Sequence, residues 1–388
     1  MTNLRISDLV ELSAPNHATD YVMVLRVAQS DLVKVLIEDI LPIDDDFYNA
    51  LSTATQVISS DSLLIWYSSA GGYRKIPQGV YTAPEVTALK GWFLGGSVTG
   101  TASAICDRLN IATETCASIA GMVLSQARFG LASITWSDAQ VGYQFGGSTS
   151  GVVVWATCCK TNLKAETTVA YPQADMFQGR YLHAGGGNGT THGYLSGGYR
   201  SYEYDDTEKF TFATELCVRT DSAILSVARQ GPTWLTHEFY AGYILGGATS
   251  GPGYVASCDK INYSTDTSSV PGFVLTLARE KTASGGDNTT KGYILGGYTG
   301  GNVDTADRLT YATETCAYIS SANLITNRRA MSGISQGGTY VYVSGGFDAA
   351  DSSVTERLVI ATETTAVVAG GAITTARQML TSNSEVYW

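Results

Sequence analysis

The sequence predicts an all-β protein: a six-bladed β-propeller closed by a C-terminal strand, with a small β-hairpin-rich module before it. Three observations carry this expectation. An apolar run ending in a glycine pair recurs six times, with the pairs at Gly95 and Gly96, Gly146 and Gly147, Gly197 and Gly198, Gly246 and Gly247, Gly296 and Gly297, and Gly345 and Gly346. The pairs are 51, 51, 49, 50 and 49 residues apart, and a period near 50 with four short strands per unit is the signature of kelch-type blades. Finally, the first repeat lacks an Arg at the usual distance before its glycine pair, while residues 378–388 resemble the start of a seventh repeat. Open strand edges invite pairing with other chains, so the tail is expected to supply the inner strand of the first blade.

Within one repeat the elements follow from alternation and turn chemistry. Residues 130–136 read as a first strand, 137–140 as a turn and 141–145 as a second strand ending in the glycine pair. A loop rich in Gly and Ser then leads to a third strand, and a short polar turn leads to a fourth. Glycine is expected at the pair because backbones converge there too closely for a Cβ and the departing chain needs positive φ.

Each repeat also carries one acid in the second turn and one Arg after the fourth strand. These are Glu114 with Arg128, Glu166 with Arg180, Glu215 with Arg229, Asp266 with Arg279, Glu314 with Arg328 and Glu363 with Arg377. The offset, 14 residues in five repeats and 13 from Asp266 to Arg279, reads as a ring of partly buried ion pairs, either within a blade or between neighbours, because a guanidinium fork suits a carboxylate. Six equal copies cannot all be one active site, so the reading is structural.

Composition narrows the function classes. Of 388 residues, 44% are apolar and 15% charged, which suits strands buried on both faces between stacked blades. The net charge of −11, with no run of Lys or Arg, leaves no footprint for nucleic acid. No apolar stretch approaches the roughly 20 residues that span a bilayer, and the N-terminus lacks the core of a signal peptide; synthesis in a cytoplasm without membrane insertion is expected. Seven cysteines without a C-x-x-C pair read as buried thiols. Cys116, Cys217 and Cys316 share one slot of the repeat, and Cys106, Cys159 and Cys258 are read as sharing another.

Residues 1–88 have a different pattern. An alternating run at 20–27 followed by 34–37, and another at 61–67 followed by 75–76, read as two hairpins, with short helical or irregular pieces at 4–9 and 39–54. Two hairpins form a small core, so self-association or docking on a partner is expected. The domain boundary is placed between this module (1–88) and the propeller (89–388).

The run Ile6-Ser-Asp-Leu-Val-Glu-Leu12, then Thr19-Asp-Tyr-Val-Met-Val24, then Val33-Lys-Val35 and Asp39, resembles the leader of bacteriophage tail-fibre and tail-appendage proteins. The downstream sentence, as in Asp307-Arg-Leu-Thr-Tyr-Ala-Thr-Glu-Thr315, is similar to kelch-like repeats of phage structural proteins, though it lacks the fourth-strand tryptophan of cellular kelch proteins. The resemblance implies a virion protein of the tail, made in the host cytoplasm. Its first 88 residues would attach to other tail or baseplate proteins, commonly as a homotrimer, and its propeller would bind a host-surface glycan or protein. The alternatives are a structural spacer or decoration of the virion, and a polysaccharide-active enzyme on a propeller.

No enzyme, cofactor or metal is expected. His17, His183, His192 and His237 have no ligand spacing. The glycine run at 185–189 mimics a phosphate cradle, but no helix follows it and a hairpin turn accounts for it. Asp44, Asp45 and Asp46 lack the ligand alternation of a calcium loop. A Cys–Tyr–His copper site at Cys217 is set against three equivalent cysteines, which favour packing.

The loops after the glycine pairs differ most among the repeats, and they emerge on one face. The third is the richest, with Tyr199, Arg200, Tyr202 and Tyr204 among three acids. Aromatic faces with polar edges suit sugars and protein hot spots; Trp155, Tyr254, Tyr298 and Phe347 extend the candidate surface from other loops. A second reading stays open, in which Tyr202 and Tyr204 belong to the third strand and pack inward.

Overall fold

The computed structural model describes residues 89–384, apart from 252 and 337, together with four short upstream strands. The chain divides into two units, 1–87 and 88–388. In the first unit, Leu64–Tyr67 pairs antiparallel with Gly72–Lys75, close to the expected second hairpin. Tyr21–Val22 pairs with Leu41–Pro42 rather than with the expected 34–37. That segment, His17, the acids at 44–46 and most of the leader lie outside the described residues.

Six four-stranded antiparallel sheets make up the second unit. Blade 2 shows the pattern, with Ala132–Trp136 innermost, then Val141–Phe145, Cys158–Asn162 and Thr167–Ala170 outermost. Every residue of its second strand is buried, because neighbouring blades cover both faces of the sheet. The outermost strands are largely exposed. Blade 1 is completed by the tail: Thr381–Ser384 pairs with Lys90–Leu94, Thr381 opposite Leu94 and Ser384 opposite Gly91. The innermost strands contact one another in cyclic order, the C-terminal one touching those of both blade 2 and blade 6. The fold is therefore the six-bladed, tail-closed propeller that the repeats predict.

The glycine pairs sit where the chain leaves the second strand. Gly95 and Gly96 have φ of +65° and +110°. A Cβ on Gly95 would come within 2.8 Å of the Arg128 carbonyl oxygen, and one on Gly96 within 2.8 Å of that of Gln378. Larger residues would force apart the segments that enter two adjacent innermost strands.

Just before each innermost strand, one residue per repeat adopts the left-handed conformation: Gly130, Leu182, Gly231, Lys281, Ala330 and Met379, with φ between 54° and 66°. Each donates its N–H to the carbonyl of its counterpart in the preceding blade. The distances are 2.8 Å (Gly130 to Met379), 2.8 Å (Leu182 to Gly130), 2.7 Å (Gly231 to Leu182), 2.9 Å (Lys281 to Gly231), 2.7 Å (Ala330 to Lys281) and 2.8 Å (Met379 to Ala330). The six bonds form a closed circuit around the axis, and the tail residue Met379 is one link of it.

The acids and arginines form two rings, and the pairs differ from those read from the offset. Arg180, Arg229, Arg279, Arg328 and Arg377 are fully buried and pair with acids near the start of the third strand of the blade they precede. Their partners are Glu208 with Asp206, Asp259, Asp307, Glu356 and Asp107 respectively. The turn acids are left-handed, with φ of 46° to 54°, and each reaches a cation on the third strand of the preceding blade. Arg357 meets Glu114, Arg108 meets Glu166 at 2.9 Å, Lys160 meets Glu215 at 2.5 Å, Lys209 meets Asp266 at 2.7 Å, Lys260 meets Glu314 at 2.5 Å and Arg308 meets Glu363 at 2.9 Å. Five of these acids also accept from a buried tyrosine of that blade: Tyr342, Tyr143, Tyr194, Tyr243 or Tyr293. Burial alone would raise the Glu215 carboxyl, but hydrogen bonds from Lys160, Tyr143 and Tyr171 outweigh it and hold the group below its ordinary value.

Blade 2 breaks the first ring. Strand register places Cys158, opposite Phe145, in the slot of Cys106, and Cys159, opposite Gln144, in the slot of Asp107. Cys159 therefore does not share a slot with Cys106 and Cys258, contrary to expectation; it stands where the other blades hold an acid. Arg128, fully buried, is left with the carbonyls of Gly146 (3.0 Å), Thr157 (2.7 Å) and Gln144 (3.4 Å), the Thr157 hydroxyl (2.9 Å) and the Cys159 sulfur (3.0 Å). Ser125 lies 3.1 Å from that sulfur, as Thr276 and Thr374 lie against Asp307 and Asp107. Cys159→Asp should complete the pair and raise unfolding stability by about 2 kcal/mol, the scale of a hydrogen bond to a charged group. Cys159→Ala should lower it, both read from urea denaturation midpoints.

Candidate functional site

Second strands run toward the glycine pairs, so the pairs, the variable loops and the left-handed circuit lie at one end of the wheel. The four-residue turns and the turn acids lie at the other. Lys90, where the chain joins the first blade, is at the turn end.

On the loop face, the residue after each buried Arg bridges to the residue after a glycine pair. The six bridges are Phe129 with Ser148, Tyr181 with Tyr199, Gln230 with Ala248, Glu280 with Tyr298, Arg329 with Phe347 and Gln378 with Ser97. This constant frame holds chemically different side chains.

Two aromatic groups result. In one, Phe129, Tyr181 and Tyr199 meet edge to face, with centroids 6.2 and 5.8 Å apart. In the other, the Arg329 guanidinium lies over the ring of Tyr298 at 4.4 Å and over that of Phe347 at 4.7 Å, and Tyr254 meets Tyr298 edge to face at 5.6 Å. Asn302 Oδ1 accepts from Arg329 Nη1 at 2.9 Å, while Asn302 Nδ2 donates to the carbonyls of Phe347 and Asp348. Burial first, then the neighbouring Tyr298 and the charge of Glu280, raise the Tyr254 hydroxyl, so it stays protonated.

The structure thus brings Tyr254, Tyr298 and Phe347 together but divides the third loop. Tyr204 is buried: its ring lies against Arg180 and its hydroxyl accepts from Gln178 at 2.7 Å. Tyr202 is 59% exposed and rests on Tyr204, with centroids 4.9 Å apart. Of the inward reading, the packing holds for Tyr204 alone, and neither tyrosine belongs to the third strand, which is Thr207–Thr211. Arg200 is exposed and Trp155 half-buried; neither joins an aromatic group among the described residues.

Arg329 and Tyr181 were missed from the sequence. Arg329 follows the repeat's structural Arg328 and looks like a second copy of it. The signal was the slot itself, whose other occupants are Phe129, Tyr181, Gln230, Glu280 and Gln378.

The axial channel has a volume of about 260 Å³ and is lined by glycines, hydroxyls and apolar side chains such as Ile134, Trp234 and Leu235, with no carboxylate, Lys or Arg among its described lining residues. Its hydroxyls tie the inner strands together: Thr233 to Ser284 (3.0 Å), Ser284 to the Trp234 carbonyl (2.7 Å) and Ser332 to Ser382 (2.8 Å). The glycine run is the hairpin, with Asn188 Oδ1 capping the N–H groups of Thr190, Thr191 and His192. All seven cysteines are free thiols, and burial chiefly pushes Cys116 and Cys316 up to about 12. Among the described residues no three His, Cys, Asp or Glu are grouped to hold a metal. No helix among them is long and apolar enough to cross a membrane.

No protein-family model matches this chain, and no curated protein matches it significantly.

His183 is an oddity at the channel mouth. Its slot holds Leu131, Pro232, Thr282, Met331 and Leu380 in the other blades. It is 5% exposed, and both ring nitrogens lack a partner among the described residues. Burial, then the charges of Arg180 and Arg128, hold it well below the ordinary value of 6.5. The folded protein keeps this imidazole neutral, while the unfolded chain takes up a proton as pH falls below 6.5. Its contribution is thus complete above that pH and declines below it, by up to about 1.4 kcal/mol per pH unit. Unfolding free energies from urea denaturation between pH 7.5 and 5 should fall less steeply, by up to about 1.4 kcal/mol per pH unit, in His183→Leu than in the parent.

Proposed function

We propose that this chain is a non-enzymatic component of a phage tail whose propeller uses its loop face to bind a host-surface ligand, a glycan first of all. The observation that carries the ligand face is the Tyr298–Arg329–Phe347 stack with Tyr254 on the end opposite to that where the chain joins the wheel. A repeated frame with variable contents suits recognition, since loops change chemistry without disturbing the ring. The virion placement rests on the sequence resemblance of the leader and repeats.

A second reading, the architectural spacer, draws support from the rim. Val169, Leu216, Val218, Tyr318 and Val367 on the outermost strands are each about half exposed or more, an apolar fringe suited to other tail proteins.

Two sets of variants separate the readings. Tyr298→Ala and Phe347→Ala should weaken binding of the full chain to an immobilised glycan panel at least tenfold while leaving thermal unfolding cooperative. Val218→Ser with Val367→Ser should leave glycan binding unchanged. No glycan binding by the parent, with rim variants lost from assembled particles, would favour the spacer, and release of reducing ends would show an enzyme.

A further inference from the structure

The loop face offers a carboxylate receptor, and we propose that Arg329 is its centre: the ligand is a sugar chain carrying a carboxylate, held by the guanidinium edge while the flanking rings take the sugar faces. The inference rests on reading the loop face as a ligand face and specifies what that face recognises.

Guanidinium groups in this molecule are mostly committed. The buried Arg ring is spent on acids or carbonyls, and Arg108, Arg308 and Arg357 are spent on turn acids. Arg329 is different. The only side-chain hydrogen bond of Arg329 among the described residues runs to a neutral amide, Asn302, and no described carboxylate lies within ion-pairing distance. Glu280, which bridges to Tyr298, is engaged by Lys281 at 2.7 Å. Rings at 4.4 and 4.7 Å and the hydrogen bond to Asn302 hold the guanidinium in place. A side chain otherwise rich in rotamers is therefore held ready, which cuts the entropy of binding.

Chemistry selects the ligand. A planar fork with one bonded edge and a second edge unclaimed matches a carboxylate in two parallel hydrogen bonds. The aromatic neighbours Tyr254, Tyr298 and Phe347 add apolar ring surface suited to the C–H faces of a pyranose. A net charge of −11 disfavours a dense polyanion at long range. The fitting ligand is thus a largely neutral glycan with isolated uronic or other carboxylated residues.

The test uses the full chain and a panel of carboxylated oligosaccharides, each as the free acid and as its methyl ester, with calorimetry for those that bind. The parent should bind at least one acid ten times or more tightly than its ester. Arg329→Gln should erase that preference, and Arg329→Lys, which keeps charge but not the fork, should retain part of it; circular dichroism verifies that both variants fold. Equal binding of acid and ester, binding of neutral glycans alone, or an acid preference that survives Arg329→Gln would overturn the carboxylate receptor while leaving the glycan face standing. Binding to no glycan in either form would overturn both.

Discussion

A circuit of six backbone hydrogen bonds around the axis constrains this structure more than any side chain does. Each link needs a left-handed residue to turn the N–H toward one neighbour and the carbonyl toward the other. Four of the six residues, Leu182, Lys281, Ala330 and Met379, carry a Cβ and bear the conformational cost of about 1–2 kcal/mol each. Such strain persists only where the surroundings over-determine it. Here the buried Arg two residues upstream clamps the same segment from outside, and the glycine pair leaves room for its carbonyls.

Charge is used in the same repetitive way. The buried arginines fix the segment that leads into each innermost strand, and the half-exposed turn acids couple each blade to its predecessor. A solvent-exposed pair contributes little, but the turn acids are lined with tyrosine hydroxyls and partly withdrawn from water. Blade 2 shows how far the pattern tolerates loss: Arg128 stays buried with a thiol and carbonyls where its counterparts have carboxylates. His183 is a second irregularity, an imidazole in a slot otherwise held by apolar side chains or threonine.

The wheel itself was legible because its causes are local and repeated. Glycine pairs at a fixed interval, and a missing inner strand matched by a surplus at the C-terminus, specify blade number and closure without knowledge of any contact. Partnerships were not legible, since an offset of 14 residues records the repeat rather than who meets whom: Glu114 and Arg128 recur together but serve separate rings. One residue of register moved Cys159 from a packing slot to an acid slot, because side chains alternate faces along a strand. The binding face was half legible. Tyr254, Tyr298 and Phe347 stand out as aromatic residues in variable loops, whereas Arg329 hides behind Arg328, and only the fold reveals that the two face different surroundings.

Closure by the tail is the claim on which the loop frame and the ligand face both rest. Native-state amide hydrogen exchange of the full chain reads it directly at Gly130, Leu182, Gly231, Lys281, Ala330 and Met379. A closed circuit predicts that these six amides exchange together, with the free energy of global unfolding. Faster exchange at Met379 and Gly130 through a local opening, with the other four still protected, would show that the wheel is not locked by its C-terminus and would contradict the account.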